Sequence, residues 1–88
     1  MMIVFTNHAK LRQKQRIVSS QEIIKTLKHP DISSEDVQGN PLVGKKLNRH
    51  ALIVVYKKAK ERRIIVITVY KTNSNRLKKI KPVIKGKL

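Results

Sequence analysis

Two long β-branched runs in the second half of the chain constrain its fold more than any other feature. One is 50–57 (His50, Ala51, Leu52, Ile53, Val54, Val55, Tyr56, Lys57) and the other is 62–70, Arg62 through Tyr70. Branching at Cβ stiffens the side chain and favours a pleated backbone over a helix. The intervening Lys58-Ala59-Lys60-Glu61 is short and polar, so the two runs read as an antiparallel hairpin. If all four of those residues stay unpaired, Lys57 faces Arg62. Leu52, Val54 and Tyr56 then share a face with Arg63, Ile65, Ile67 and Val69, the better core face. The opposite face carries Arg49, Ala51, Ile53 and Val55 beside Arg62, Ile64, Val66, Thr68 and Tyr70, and ends in a cluster of Arg49, Thr68 and Tyr70. A loop of three or five residues would reverse one strand relative to the other, because strand side chains alternate with a period of two.

The first half adds a short strand and two helices. Met1 to Phe5 is a β-prone run that stops at Thr6-Asn7, both good N-cap types. Asn7 to Arg16 is built largely of helix formers. Ser19-x-x-Glu22 is a capping box for a second helix, with Val18 placed to staple onto Ile23. Ile23, Ile24 and Leu27 form its apolar stripe, and Pro30 stops it. Residues 31–44 are rich in Ser, Asp, Gly, Asn and Pro and read as a loop, with a shorter strand around Pro41 to Leu47. The expected fold is α+β, in the order β-α-α-β-β-β, with two helices packed on one face of a small antiparallel sheet. Residues 1–71 form the single domain and 72–88 a basic C-terminal tail.

Charge sets the functional class. The 88 residues carry 21 Lys+Arg against 5 Asp+Glu, a net +16. By segment the balance is +5 over 1–30, −3 over 31–44, +7 over 45–70 and +7 over 71–88. A self-repelling chain of this kind implies an anionic partner. There is no cysteine, which excludes a disulfide framework, a thiolate zinc site and a Cys nucleophile. The longest apolar runs, Ala51 to Tyr56 and Ile64 to Tyr70, are far too short for a membrane-spanning helix. Met1 to Phe5 is too short for a signal-peptide core and no lipidation motif is present, so a soluble, cytoplasmic protein with no membrane partner is expected.

Several residues are candidates for chemistry. His8, Arg12 and Arg16 recur every four residues and lie along one helical stripe, suited to phosphate and, through the imidazole, to proton transfer. The same stripe equally suits a solvated helix face. Tyr70 closes the last strand next to Lys71, where a phenol among cations can stack on a base, move a proton or simply cover the core rim. Lys45-Lys46 and Arg49-His50 form a basic cluster at a strand mouth, also compatible with a solvated charge run. His29, at the end of the second helix, meets the negative end of its dipole and is assigned a structural role. Three scattered histidines make a poor metal site, and no Gly-rich phosphate loop or Ser nucleophile motif is present. The tail, with Arg76, Lys78, Lys79, Lys81, Lys85 and Lys87, reads as a non-specific anion-binding arm.

Thr6-x-His8-Ala9-x-x-Arg12-x-x-x-Arg16, followed by Val18-Ser19 opening a helix, resembles a small prokaryotic family with a His-Ala-x-x-Arg signature. Gly44-Lys45, the Leu52 to Val55 run and the closing Ile67-Thr68-Val69-Tyr70 extend the resemblance across roughly residues 4–71. The family is catalogued mainly as a domain of unknown function and is considered similar to the RelE/ParE toxins. Two positions depart from it. Ile17 stands where the family usually has Gly, and a left-handed turn is costly for a β-branched residue, so a differently built turn is expected there. Gln13 stands where an apolar residue is common.

The resemblance implies a sheet flanked by two helices, with its other face used for nucleic acid or partners. RelE-type toxins cleave mRNA on the ribosome using Arg, Lys and a Tyr or His near the last strand, and ParE-type toxins act on gyrase. Tyr70, Arg49 and Lys45 match the RelE pattern by character. RNA cleavage by 2′-OH attack would draw its base from His50 or His8, its proton donor from Tyr70 and its cations from the Arg and Lys set. Nucleic-acid contacts fall to Arg12, Arg16, Lys45, Lys46, Arg62, Lys71, Arg76, Lys78 and Lys79. The expected function is that of an RNA-binding, toxin-like protein and candidate metal-independent, ribosome-linked endoribonuclease without cofactor. Its partners would be RNA or the ribosome and an acidic antitoxin. The alternatives are a non-catalytic nucleic-acid binder of the same fold and a toxin directed at DNA gyrase.

Overall fold

In the computed structural model, which describes residues 2–73 and Asn75, two helices lie on a five-stranded sheet. The elements run β1 (Met2–Phe5), α1 (Asn7–Gln15), α2 (Ser20–Lys28), β2 (Ile32–Glu35), β3 (Pro41–Leu47), β4 (His50–Ala59) and β5 (Arg63–Asn73). The spatial order is β1-β5-β4-β3-β2. β1 pairs with β5 in parallel, and all other neighbours are antiparallel. The sheet is therefore mixed.

This corrects the expected four-stranded antiparallel sheet in two respects, while the α+β class and the two-helix layer stand. The added strand, β2, comes from the segment read as loop. Ile32-Ser33-Ser34-Glu35 alternates half-buried and exposed, but three of its four residues are polar, as befits an edge, and so lack a β-branched signature. The direction of β1 follows from where the helices return the chain, which no local pattern of a four-residue run encodes.

The helices begin as their sequences dictate. Thr6 caps α1, its hydroxyl accepting from the Ala9 amide at 3.0 Å and donating to the Ile67 carbonyl at 3.1 Å. Ser19 and Glu22 close a full capping box, with each side chain accepting from the other's backbone N–H. α1 ends in a Schellman motif, in which the Val18 amide bonds the Gln13 carbonyl (2.9 Å) and the Ile17 amide the Lys14 carbonyl (3.4 Å). Ile17 occupies the left-handed position of that motif at φ 53, so the turn is the one a glycine would make, built with a β-branched residue. The expectation of a different turn is corrected.

Left-handed backbone costs an ordinary L-residue about 1–2 kcal/mol, whereas Gly gives back about 0.5–1 kcal/mol in chain entropy. Ile17 is 83% exposed, so little packing is at stake. Ile17→Gly is therefore expected to stabilise the domain by about 1 kcal/mol, read as a rise of several degrees in a thermal melt. A lowered melting temperature would show that the turn is unstrained.

Two apolar clusters sandwich the sheet. On the helix side Leu52, Val54, Val43, Val66 and Val69 meet Ala9, Val18 and Ile23. On the opposite side Leu42, Ala51, Ile53 and Val55 gather with Ile32 and Ile67. The β4–β5 loop is three residues, 60–62, because Ala59 pairs with Arg63, and both Glu61 and Arg62 are left-handed. Near the loop this reverses the expected facing, with Tyr56 opposite Val66. A one-residue bulge at Ile67 then restores it, with Val54 opposite Val69.

Candidate nucleic-acid interface

β1 is short and reaches only as far along β5 as Val66, so among the described residues the far half of β5 has a strand neighbour on one side only. α1 runs along this stretch on the helix face of the sheet. The start of α1 is pinned where the Thr6 amide and hydroxyl bond the carbonyls of Val66 and Ile67. Its end is pinned where Lys71 Nζ donates to the Ile17 carbonyl at 3.1 Å. Helix and strand thus run side by side. Between them lies an open depression of about 410 Å³, lined by His8, Arg12, Arg16, Thr68, Val69, Tyr70, Lys71 and Thr72.

The helical stripe anticipated from spacing forms one wall. His8 and Arg16 are exposed and Arg12 is half-buried, with its Nη1 on Gln15 Oε1 at 3.2 Å. The β5 edge forms the other wall. Register places Tyr70 with Thr68 and Thr72 on the face away from the helices, and Val69 with Lys71 on the helix face. Tyr70 is 38% exposed. Burial first, then the negative charge of Asp36, hold its phenol above the ordinary value of 10.0, so it is a proton donor throughout the neutral range.

Asp36 belongs to a self-closed turn. Its Oδ1 accepts from the amides of Gln38 (3.0 Å) and Asn40 (2.8 Å), and Gly39 supplies the left-handed residue at φ 85. Desolvation works to raise this carboxyl, but hydrogen bonds from Asn40, Gln38 and Gly39 outweigh it, and its pKa is lowered below 3.8. Its charge is structural and persists to lower pH than that of an ordinary aspartate.

The other candidates stand elsewhere. Arg49 sits in the two-residue β3–β4 turn and His50 pairs with Asn73, at the end of β5, so neither lines the depression. Lys45 is committed to the fold. It is bonded to the His29 carbonyl at 2.8 Å and lies 3.9 Å from Asp31, joining the C-terminal end of α2 to β3. Lys46 has an exposed side chain, and its amide bonds Asp31. Arg62 lies in the β4–β5 turn, eight residues and roughly 26 Å of strand from Tyr70. Arg76, Lys78 and Lys79 lie outside the described residues.

Thr72 and the open strand edge escaped the sequence reading. The available signal was the mismatch between a four-residue first strand and a much longer last one. Among the described residues, no three His, Asp or Glu converge as a metal-binding group, and no helix is long and apolar enough to cross a membrane.

A family model described as a domain of unknown function, DUF4258, matches residues 5–71. The chain belongs to the DUF4258 family. The matched span runs from the end of β1 into β5 and takes in every described residue of the depression except Thr72. No curated protein and no solved structure matches the chain. The match to DUF4258 does not itself show a link to the RelE/ParE toxins.

Proposed function

We propose that this DUF4258 protein is an RNA-binding, toxin-like protein whose depression between α1 and β5 cleaves RNA in association with the ribosome, and that an acidic protein restrains it. The observation that supports this is the gathering of an imidazole, a phenol held protonated and three cations around one open depression. In the reaction His8 takes the proton of a 2′-OH, and the 2′-oxygen attacks the adjacent phosphorus. The bond to the 5′-oxygen breaks as Tyr70 supplies that oxygen's proton, leaving a 2′,3′-cyclic phosphate and a free 5′-OH. Arg12 and Arg16, with the remaining donors of the Lys71 ammonium, offset the charge that builds on the phosphorane. The choice of the ribosome follows from the resemblance to RelE-type toxins.

The test is incubation of purified protein with single-stranded RNA, with and without ribosomes. Cleavage leaving cyclic phosphate ends is expected. Intact RNA in both arms sinks the nuclease reading. A second reading, binding without turnover, is favoured by the separation of Arg49 and His50 from the depression. It requires affinity that falls with salt by a log–log slope of about 0.7 per phosphate contact on a single strand.

A further inference from the structure

In an antiparallel ladder each residue turns its N–H and C=O to the same side, and successive residues alternate. Two facts fix the phase on β5. The Thr6 amide bonds the Val66 carbonyl, so Val66 faces β1. The bulge at Ile67 then shifts the phase by one, so Thr68, Tyr70 and Thr72 turn inward to β4. The two-residue turn closing Leu47 against His50 gives the same answer from the other end. It assigns even-numbered β4 residues to β3 and Ala51, Ile53 and Val55 to β5. Val69 and Lys71 therefore present their N–H and C=O groups to the depression, and among the described residues none bonds to them.

We propose that this edge accepts an extended, acidic segment of a partner protein as a sixth strand. The free groups are two donors and two acceptors in strand register, which a polypeptide complements. An RNA strand carries its donors only on 2′-hydroxyls and base edges, which do not recur at the spacing of backbone amides, so it does not complement both carbonyls in strand register. Charge selects the kind of segment. Residues on one face of a strand recur every 6.6–6.8 Å or so, and residues four apart on a helix recur at about 6 Å. α1 follows β5 from Val66 to Lys71, so every second residue of an added strand passes His8, Arg12 and Arg16 in turn. Carboxylates belong at those positions. The intervening residues pass Thr68, Tyr70 and Thr72 on the other face and suit apolar side chains.

The segment thus alternates acidic with apolar residues over about five positions. It rests on the function proposed above only for its consequence, that docking blocks RNA. The docking itself is read without RNA.

The probes are peptides of about eight residues alternating glutamate with valine, an analogue N-methylated at the residues that face β5, and single-stranded RNA. The glutamate peptide is expected to bind and to slow amide exchange at Val69 and Lys71, leaving Thr68, Tyr70 and Thr72 unchanged. N-methylation is expected to weaken binding at least about tenfold, as is the double variant Arg12→Glu, Arg16→Glu, with an unchanged thermal melt confirming its fold. Equal affinity of the methylated analogue would mean that charge alone holds the peptide and would overturn the proposal. So would unprotected amides at Val69 and Lys71, or protection by RNA with no binding of peptide.

Discussion

Ile23→Ala is expected to lower the unfolding free energy by about 3 kcal/mol, within the range for truncating a buried Ile. Ile23 is fully buried and is the main anchor of α2, whose other stripe members, Ile24 and Leu27, are half-exposed. It belongs to the helix-side cluster together with Val43, Leu52 and Val54. The void left behind cannot close easily, because the strands beneath are held by ladders on both sides. A domain of this size has a stability of only about 5–15 kcal/mol, so the loss is a large part of the whole. It should move the melting temperature down by roughly 10–25 °C. Leu11→Ala, at a position 52% exposed on α1, is the control and should stay within about 0.5 kcal/mol. Denaturant midpoints with an unchanged slope measure both. A loss under about 1 kcal/mol at Ile23 would mean that α2 is not seated on the sheet as described.

The same cluster shows how much of the architecture the chain declares locally. Val18, Ser19, Glu22 and Ile23 encode the start of α2, and it forms where they place it, because capping depends only on neighbours. The β4–β5 hairpin is equally declared by its β-branched runs. What local pattern could not carry is phase. The loop is one residue shorter than expected, which turns Tyr56 toward Val66, and the bulge at Ile67 cancels the error before Val54. A reading from the sequence was therefore correct for the far half of the hairpin and reversed near the loop. β2 was hidden because an edge strand can be polar. Ile17 was legible as a conflict between a glycine position and a β-branched residue, and the fold resolves it by accepting the strain.

The candidate site divides along the same line. His8, Arg12 and Arg16 were found because helical spacing is a local property. Their meeting with Tyr70 and Lys71 depends on α1 continuing alongside β5 after β1 stops, which is a matter of topology. Arg49 and His50 are neighbours of β5 in the sheet but lie beyond the depression, at the level of Asn73. Lys45 looked like a free cation and is instead held by the His29 carbonyl. Charge counts cannot separate a lysine that binds a ligand from one that ties a helix to a strand.

His8→Ala and Tyr70→Phe are each expected to slow RNA cleavage by about 10²–10⁴-fold, the usual worth of a positioned acid or base and equivalent to roughly 3–5 kcal/mol of barrier. Arg49→Ala, outside the depression, should leave the rate within about twofold; a loss as large as that of Tyr70→Phe would relocate the chemistry to the β3–β4 turn. The pH profile supplies an independent readout. The Tyr70 phenol is held above 10.0 by burial and by Asp36, so the alkaline limb of activity should lie above pH 10. Removing the charge with Asp36→Asn should draw that limb toward lower pH, while Tyr70→Phe should abolish it. Stability follows the same sign. A group whose folded pKa is raised contributes stability that is fully present below its unfolded value, here 10.0, and is lost as pH climbs through the folded value. Asp36 acts oppositely, because its lowered pKa contributes stability present above 3.8 and lost on acidification. An alkaline limb unmoved by Asp36→Asn would mean that Tyr70 does not supply the proton, leaving its phenol to a role in stacking or strand packing.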